Sequence, residues 1–242
     1  VVIQIFWVSI LTVIASALGT VSGFGISTLM VPVMLFVLPF PEALLFVGVV
    51  HWFGDVWKLL LFKKGLNWKI LLAFGIPGIL TAYLGAALTF QLPTDILSRA
   101  MGIFLIAYVV FITLRPKFKI TPNAAASITG GTFSGLLGGL TGVGGGAIRA
   151  VVLTAFNLEK NVYVFTTGLI GATVDASRIA GYFNGGTRIN HLLTVGLPFF
   201  IVMSFIGVKI GKVMVEKIPQ EKFRYVVAFF LLIIGIKFAI FP

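Results

Sequence analysis

The sequence predicts an all-α, polytopic transmembrane protein built as two inverted repeats of about five segments each, with broken or re-entrant Gly-rich helices. Three observations carry that prediction. Composition is the first: of 242 residues, 59% are hydrophobic, 10% are charged and 24 are phenylalanine, whereas soluble domains carry about 25% charged residues. The second is the recurrence, from end to end, of apolar runs near the roughly 20 residues that span a bilayer as a helix. None alternates polar and apolar residues as barrel strands do. The third is an ordered series of matches between the halves. Gly19, Gly23 and Gly25 match Gly138, Gly142 and Gly144 at an offset of 119, and Asp55 and Lys58 match Asp175 and Arg178 at 120. Gly75 and Pro77 match Gly196 and Pro198 at 121, and Gly85 and Pro93 match Gly211 and Pro219 at 126.

Taken in order, the first segment covers 2–21, too long and too poorly followed by a cleavage site to read as a signal peptide. The second covers 24–39, with Pro32 inside and Pro39 at its end. The third, 42–62, opens after Pro41 with Glu42 in its first turn, where the helix dipole favours an anion. The fourth covers 68–90 around Pro77, and the fifth 94–114. A basic linker at 115–123 separates the first repeat, 1–114, from the second, 124–242. The sixth segment, 124–141, is rich in Gly, Ser, Thr and Ala, a composition that packs on protein rather than lipid. The remaining segments cover 146–157, 160–183, 190–215 around Pro198, and 221–241. At roughly 16 and 12 residues the second and seventh are short for a span, so each pairs with its predecessor as a broken or a re-entrant hairpin. Five segments per half is odd, so the second copy enters from the opposite side. Inverted repeats with broken helices and a midplane site are the architecture of many secondary transporters.

The net charge is +11, but the basic residues sit in short loops, a pattern of membrane topology rather than nucleic-acid binding. Lys58, Lys63, Lys64, Lys69, Arg115, Lys117, Lys119, Lys160, Lys209, Lys212, Lys217, Lys222 and Arg224 gather on one side. Arg99, Arg178, Arg188 and Lys237 fall on the other. The positive-inside rule makes the first group cytoplasmic and places both termini on the outer face of a cytoplasmic (inner) membrane. The absence of cysteine excludes disulfides and thiolate chemistry, and two histidines, His51 and His191, leave little for a transition metal.

The costliest stretch is Leu140-Thr-Gly-Val-Gly-Gly-Gly-Ala-Ile-Arg149. Gly142, Gly144, Gly145 and Gly146 make a poor helix interior, so the chain is expected to unwind there and restart near Gly146. A restarted helix exposes its first amides, from Gly144 to Ala147, and its positive dipole end, which form an anion site in a protein-lined cavity. Arg149 falls in that first turn, where a bound anion relieves its conflict with the dipole. Snorkelling to the headgroups is the other reading of Arg149. A weaker copy of the break is Ser22-Gly23-Phe24-Gly25, whose amides reach to Ser27. Ser22, Ser27, Thr28 and Thr141 flank the breaks and either donate to an oxyanion or bond back to their own helices.

Intramembrane charges mark pathways by default. His51, Asp55 and Lys58 follow i, i+4, i+7 spacing and share a helical face, and Asp175 and Arg178, three apart, do the same. They read either as structural ion pairs or as pathway residues, with Lys58 or Arg178 meeting an anion and Asp55, Asp175 or His51 carrying a coupling proton. No strand or downstream acid accompanies Gly142-Val-Gly-Gly-Gly-Ala, no P-loop lysine follows it, and no nucleophile, histidine and acid fall at an interpretable spacing. No enzyme chemistry, catalytic residue, metal set or cofactor is indicated.

The motif Leu140-Thr-Gly-Val-Gly-Gly-Gly-Ala-Ile148, the copy Ser22-Gly-Phe-Gly25 followed by Val31-Pro32, and the duplicated layout resemble the sulfite exporter TauE/SafE family of organosulfur anion transporters over nearly the whole chain. One departure is Arg149-Ala-Val-Val, where such proteins often carry a proline. The resemblance implies movement of sulfite, sulfonates such as sulfoacetate, or related anions across the cytoplasmic membrane, usually outward. The residues by themselves reach the anion and not the sulfur. They leave open a carboxylate or other small anion, a passive channel in place of alternating access, and a scaffold without transport. The expected partners are a small anion, the lipid bilayer and a coupling proton, with no nucleic acid.

Overall fold

The computed structural model describes residues 2–62, 66–115 and 121–217 and, in the last segment, 228–229, 232–233 and 235–241. Lys63, Lys64, Lys117, Lys119, Pro219, Lys222 and Arg224 lie outside the described residues, with most of the linker and much of the tenth segment. All regular structure among the described residues is helical: α1 (Val2–Ser22), α2 (Ser27–Met34), α3 (Phe40–Phe62), α4 (Trp68–Leu88), α5 (Thr94–Leu114), α6 (Ala124–Thr141), α7 (Gly144–Ala155), α8 (Lys160–Asn184) and α9 (His191–Lys217). Further helical residues follow at 228–229, 232–233 and 235–240. Among the described residues five helices are long and apolar enough to cross a membrane: Ile3–Ser22, Phe40–Phe62, Trp68–Leu88, Thr94–Phe111 and His191–Lys217.

The protein is apolar outside and keeps a set of charges within its largely apolar core. Leu72, Ile76, Leu80 and Leu84 form an exposed stripe on α4, and Val195, Phe199, Val202 and Ile206 form another on α9. Asp55, Lys58, Arg149, Asp175 and Arg178 are all buried. That inversion suits a hydrocarbon solvent, where ionisable groups face the bundle interior. It also explains α8, whose 25 residues suffice to span but include Asp175, Arg178 and several threonines. Too polar for lipid, α8 packs between α3 and α4.

Small residues set the closest helix contacts. A Cβ at Gly131, Gly135 or Gly139 of α6 would run into the α4 backbone at Phe74, Gly78 and Ala82. Gly207 and Gly211 of α9 press likewise on Val13 and Ala17 of α1, so backbones approach as membrane helices prefer. Thr81 and Thr89 then donate from α4 to the carbonyls of Thr132 and Leu140, each at 2.9 Å.

Hydrogen bonds fix the helix directions. Asn190, just before α9, donates its amide to Glu42 at the head of α3 (2.9 Å), and Lys212, late in α9, donates to Leu61 at the tail of α3 (2.9 Å). Thus α3 and α9 run together, and α1 runs with them through the Val13–Gly207 and Ala17–Gly211 contacts. The α4 threonines run in register with α6, and Ser177 and Asn184 of α8 reach Ile79 and Tyr83 of α4. Lys160 at the head of α8 meets Val215 near the tail of α9 (3.5 Å), so α4, α6 and α8 oppose α1, α3 and α9.

The short helices depart from the expected limits. The 8 residues of α2 and 12 of α7 correspond to roughly 12 Å and 18 Å at 1.5 Å each, far short of a bilayer of about 30 Å. α7 also opens at Gly144 rather than near Gly146. The chain reverses at Gly142 alone, in the left-handed region at φ 72°, and Thr141 Oγ1 accepts from the amides of Val143 and Gly144 (both 3.4 Å). The glycines after it serve packing rather than unwinding: Gly145 rests on Gly138, and a Cβ at Gly146 would strike the Phe24 carbonyl.

Candidate functional site

Two helix breaks meet at mid-molecule. α1 ends where Gly23 turns left-handed at φ 75° and donates to the Gly19 carbonyl (3.0 Å); α6 ends where Gly142 does the same at φ 72° toward Gly138 (2.9 Å). Contact between Gly146 and the Phe24 carbonyl joins the breaks directly. Gly25, at φ 82°, lies so close to the His51 ring that a Cβ there would overlap it. Gly23 holds the same relation to the Tyr163 phenol.

Around this junction α3, α7 and α8 bring together the six acidic, basic and histidine side chains that are buried among the described residues. From α3, Lys58 Nζ pairs with Asp55 Oδ1 at 2.6 Å; from α8, Arg178 Nε pairs with Asp175 Oδ1 at 2.7 Å. Both pairs follow the i, i+3 spacing that puts them on one helical face. His51 sits between them, with Nδ1 2.9 Å from Asp175 Oδ2 and Nε2 3.6 Å from Asp55 Oδ2. Ser27 Oγ lies 2.8 Å from His51 Nδ1 and accepts from Arg178 Nη2 at 2.9 Å, while Arg178 Nη1 donates to the Gly142 carbonyl at 3.3 Å. Arg178 thereby ties both breaks to α8.

Arg149 is different. It is 2% exposed, its nearest carboxylate oxygen is Asp55 Oδ2 at 4.0 Å, and its Nε and Nη2 have no hydrogen-bond partner. A buried cation with unmet donors is costly unless a counter-ion completes it. Beside it lies a cavity of about 10 Å³, room for about one water. Phe24, Ser134, Gly142, Gly145, Gly146, Arg149 and Arg178 contribute to its lining, as do His51 and Asp175. An oxyanion of four or more heavy atoms needs more room than that.

The structure thus gathers Arg149, Gly142, Gly145, Gly146, His51, Asp175 and Arg178 at one cavity. Asp55 adjoins it beside Arg149, and Ala147 packs one residue further into α7 with no exposure. Lys58, counted by sequence among the cytoplasmic bases, is wholly buried on Asp55, and Arg178, assigned to the opposite side, is buried at the centre. Among the hydroxyls, Thr141 donates to Leu137 (2.8 Å), Thr28 donates to Phe24 (3.2 Å) and Ser22 accepts from the Phe24 amide (3.3 Å). Short polar side chains beside a turn bond their own backbone, and Ser27 is the flanking hydroxyl that reaches the charges. Sequence reasoning missed Ser134, which donates to Gly145 (2.7 Å), and Tyr163, which donates to the Ser22 carbonyl (3.0 Å). Ser134 was findable as the polar residue on the glycine face of α6; nothing in the sequence marks Tyr163.

His51, Asp55 and Asp175 offer three ligand atoms within 4.8 Å of one another. Lys58 and Arg178 already occupy one oxygen of each carboxylate, and Arg149 adds a third cation. A metal ion would enlarge that positive charge, whereas an anion reduces it.

Comparison with known proteins matches residues 8–238 to the family described as Sulfite exporter TauE/SafE. The chain is also similar to a probable membrane transporter protein of Methanocaldococcus jannaschii, with 24% identity over 248 residues covering 92% of this chain and 91% of the other.

Proposed function

The chain belongs to the sulfite exporter TauE/SafE family, a family of membrane transporters rather than enzymes, and from that premise we propose that it exports a small sulfur oxyanion, such as sulfite or a sulfonate, across the cytoplasmic membrane by alternating access. The observation that carries this reading is Arg149: a buried guanidinium with two unmet donor nitrogens, facing a cavity where two helix breaks touch. The anion sits between the breaks, held by Arg149 and by the first-turn amides of α7, with Ser27 and Arg178 on the facing side. Asp175 and His51 line the same cavity and are placed to exchange the coupling proton.

Two inverted repeats supply the motion. Their support is the pairing of α1 with α9 and of α6 with α4, the opposed directions of α1 and α3 against α6 and α8, and the matching glycine caps at Gly23 and Gly142. Rocking one repeat against the other, with the glycine breaks and Pro77 and Pro198 as hinges, opens the cavity to either side in turn. The basic end, with Lys160 and Lys212, faces the cytoplasm, and both termini face outward.

A thermal-shift panel on detergent-purified protein tests the site, comparing sulfite, sulfoacetate, taurine, sulfate, acetate and phosphate on wild type and Arg149→Met. A ligand at a hundredfold excess over its Kd adds about 2.7 kcal/mol to the folded state, a shift of several degrees for a chain of this size. At least one sulfur anion is expected to stabilise the wild type and leave the variant unmoved. An equal response from Arg149→Met removes the site from the second break.

A further inference from the structure

We propose that the empty site carries one net positive charge, so that it accepts a monoanion without a proton and a dianion only together with one proton, which His51 binds. This rests on the anion site proposed above and adds the charge class of its substrate. Three cations, Lys58, Arg149 and Arg178, stand against two carboxylates, Asp55 and Asp175, all buried. Each carboxylate is neutralised by the cation three residues on, at 2.6 and 2.7 Å, which leaves the charge of Arg149 over. One negative charge at Arg149 makes the interior neutral. A second would be buried without compensation, and uncompensated charge in a low-dielectric interior is prohibitive.

The surroundings of His51 show where the compensating proton goes. Its two ring nitrogens each face the carboxylate oxygen that the cation leaves free: Nδ1 is 2.9 Å from Asp175 Oδ2 and Nε2 is 3.6 Å from Asp55 Oδ2. Neither of those oxygens has a hydrogen-bond partner, nor does Nε2. An imidazolium is therefore flanked on both edges by acceptors already in place. The other groups around it are Lys58 two turns along α3, Arg178 on α8, Arg149 on α7 and the Ser27 hydroxyl on α2. α1 has no ionisable side chain, and on α9 His191, Lys209, Glu216 and Lys217 are exposed while Lys212 is bound to Leu61. The second negative charge of an arriving dianion is the charge that a proton on His51, held between those two free carboxylate oxygens, would offset. Proton and second charge thus enter together.

Sulfite exchanges a proton of its own near neutrality, so the test uses two tetrahedral sulfur anions of fixed charge, methanesulfonate and sulfate. Isothermal titration of the detergent-purified full chain, in chloride-free buffers of differing ionisation enthalpy, counts protons taken up per ion bound. Methanesulfonate is expected to bind with no proton uptake. Sulfate is expected to bind with uptake of one, its affinity falling about tenfold per pH unit wherever a whole proton is taken up. In His51→Gln the sulfate-linked uptake disappears and the ratio of sulfate to methanesulfonate affinity at the acid end drops at least tenfold. The wild-type proton count decides the charge rule even should that variant fail to fold. Equal uptake with both ions, sulfate binding without uptake, uptake that survives in His51→Gln, or methanesulfonate binding with no sulfate binding at low pH overturns the proposal while leaving an anion site. If neither ion binds the wild type, the site reading itself falls, and this inference with it.

Discussion

The break after α1 and the break after α6 close their helices by the same device, a left-handed glycine donating to the glycine four residues earlier, at 3.0 Å from Gly23 and 2.9 Å from Gly142. The helices that leave these two turns differ in their side chains. Continuing the offset of 119 that relates these glycines sets Met30 against Arg149 and Ser27 against Gly146. Met30 is wholly buried and its sulfur touches the Thr12 hydroxyl at 3.9 Å, an ordinary core contact. Arg149, equally buried, has two donor nitrogens with nothing to donate to. The two breaks share a backbone cap and differ in charge, and the proposed anion site rests on that difference.

Substitutions can break that comparison at graded cost. The largest effect on stability is expected from Arg178→Met, which strips the cation from Asp175 and the donors from Ser27 and Gly142 that link the two breaks. Leaving one partner of a buried pair uncompensated costs about 3–5 kcal/mol. A melting temperature within a degree of wild type would show that Arg178 is not the tie. Next comes Gly146→Ala, whose Cβ would collide with the Phe24 carbonyl. Overpacking of this kind costs about 1–3 kcal/mol, read as a lowered melting temperature with slower transport in proteoliposomes, and full transport would mean that the breaks do not need their contact.

Tyr163→Phe should cost less, about 0.5–1.5 kcal/mol, because it removes one hydrogen bond to the Ser22 carbonyl at 3.0 Å. Denaturant unfolding resolves a change of that size. Were the loss to match that of Arg178→Met, the first break would be held by the phenol and not by the charge cluster. Least of all is expected from Arg149→Met, which rewrites the second break in the image of the first. It discards a buried charge that has no close partner, so the melting temperature stays at the wild-type value or above it, even as the response to anions is lost.

Much of the fold was legible. The order of helices, the shortness of the second and seventh, and the i, i+3 ion pairs on α3 and α8 come from run length and spacing, which act locally. The break itself was placed too widely. Four glycines in five positions predict a long unwound stretch, yet only Gly142 leaves the helix; Gly145 and Gly146 are small because Gly138 and Phe24 press on them. Local propensity cannot distinguish a glycine that bends the chain from one that makes room for a neighbour. Counting bases by side puts Lys58 and Arg178 on opposite membrane faces, whereas both are buried, each on the aspartate three residues before it. The rule that sorts loop lysines by side does not see that a cation one turn from an aspartate is already neutralised. Thr141 and Ser22 illustrate the converse, being hydroxyls at the right place whose hydrogen bonds go to their own turn.

Residue order alone was enough to set the solvent and the parts: an all-helical membrane protein, segmented by run length, with charges inside its apolar segments. Composition and periodicity suffice for that, because each segment answers to the bilayer one helix at a time. Which charges cancel was settled by packing. Asp55 and Asp175 are claimed by Lys58 and Arg178, His51 is set between them, and of the cations buried among the described residues Arg149 is left without a close partner. That outcome turns on distances of a few ångströms between residues on different helices, and electrostatic energy in a low-dielectric interior depends on those distances far more than on which residues are present.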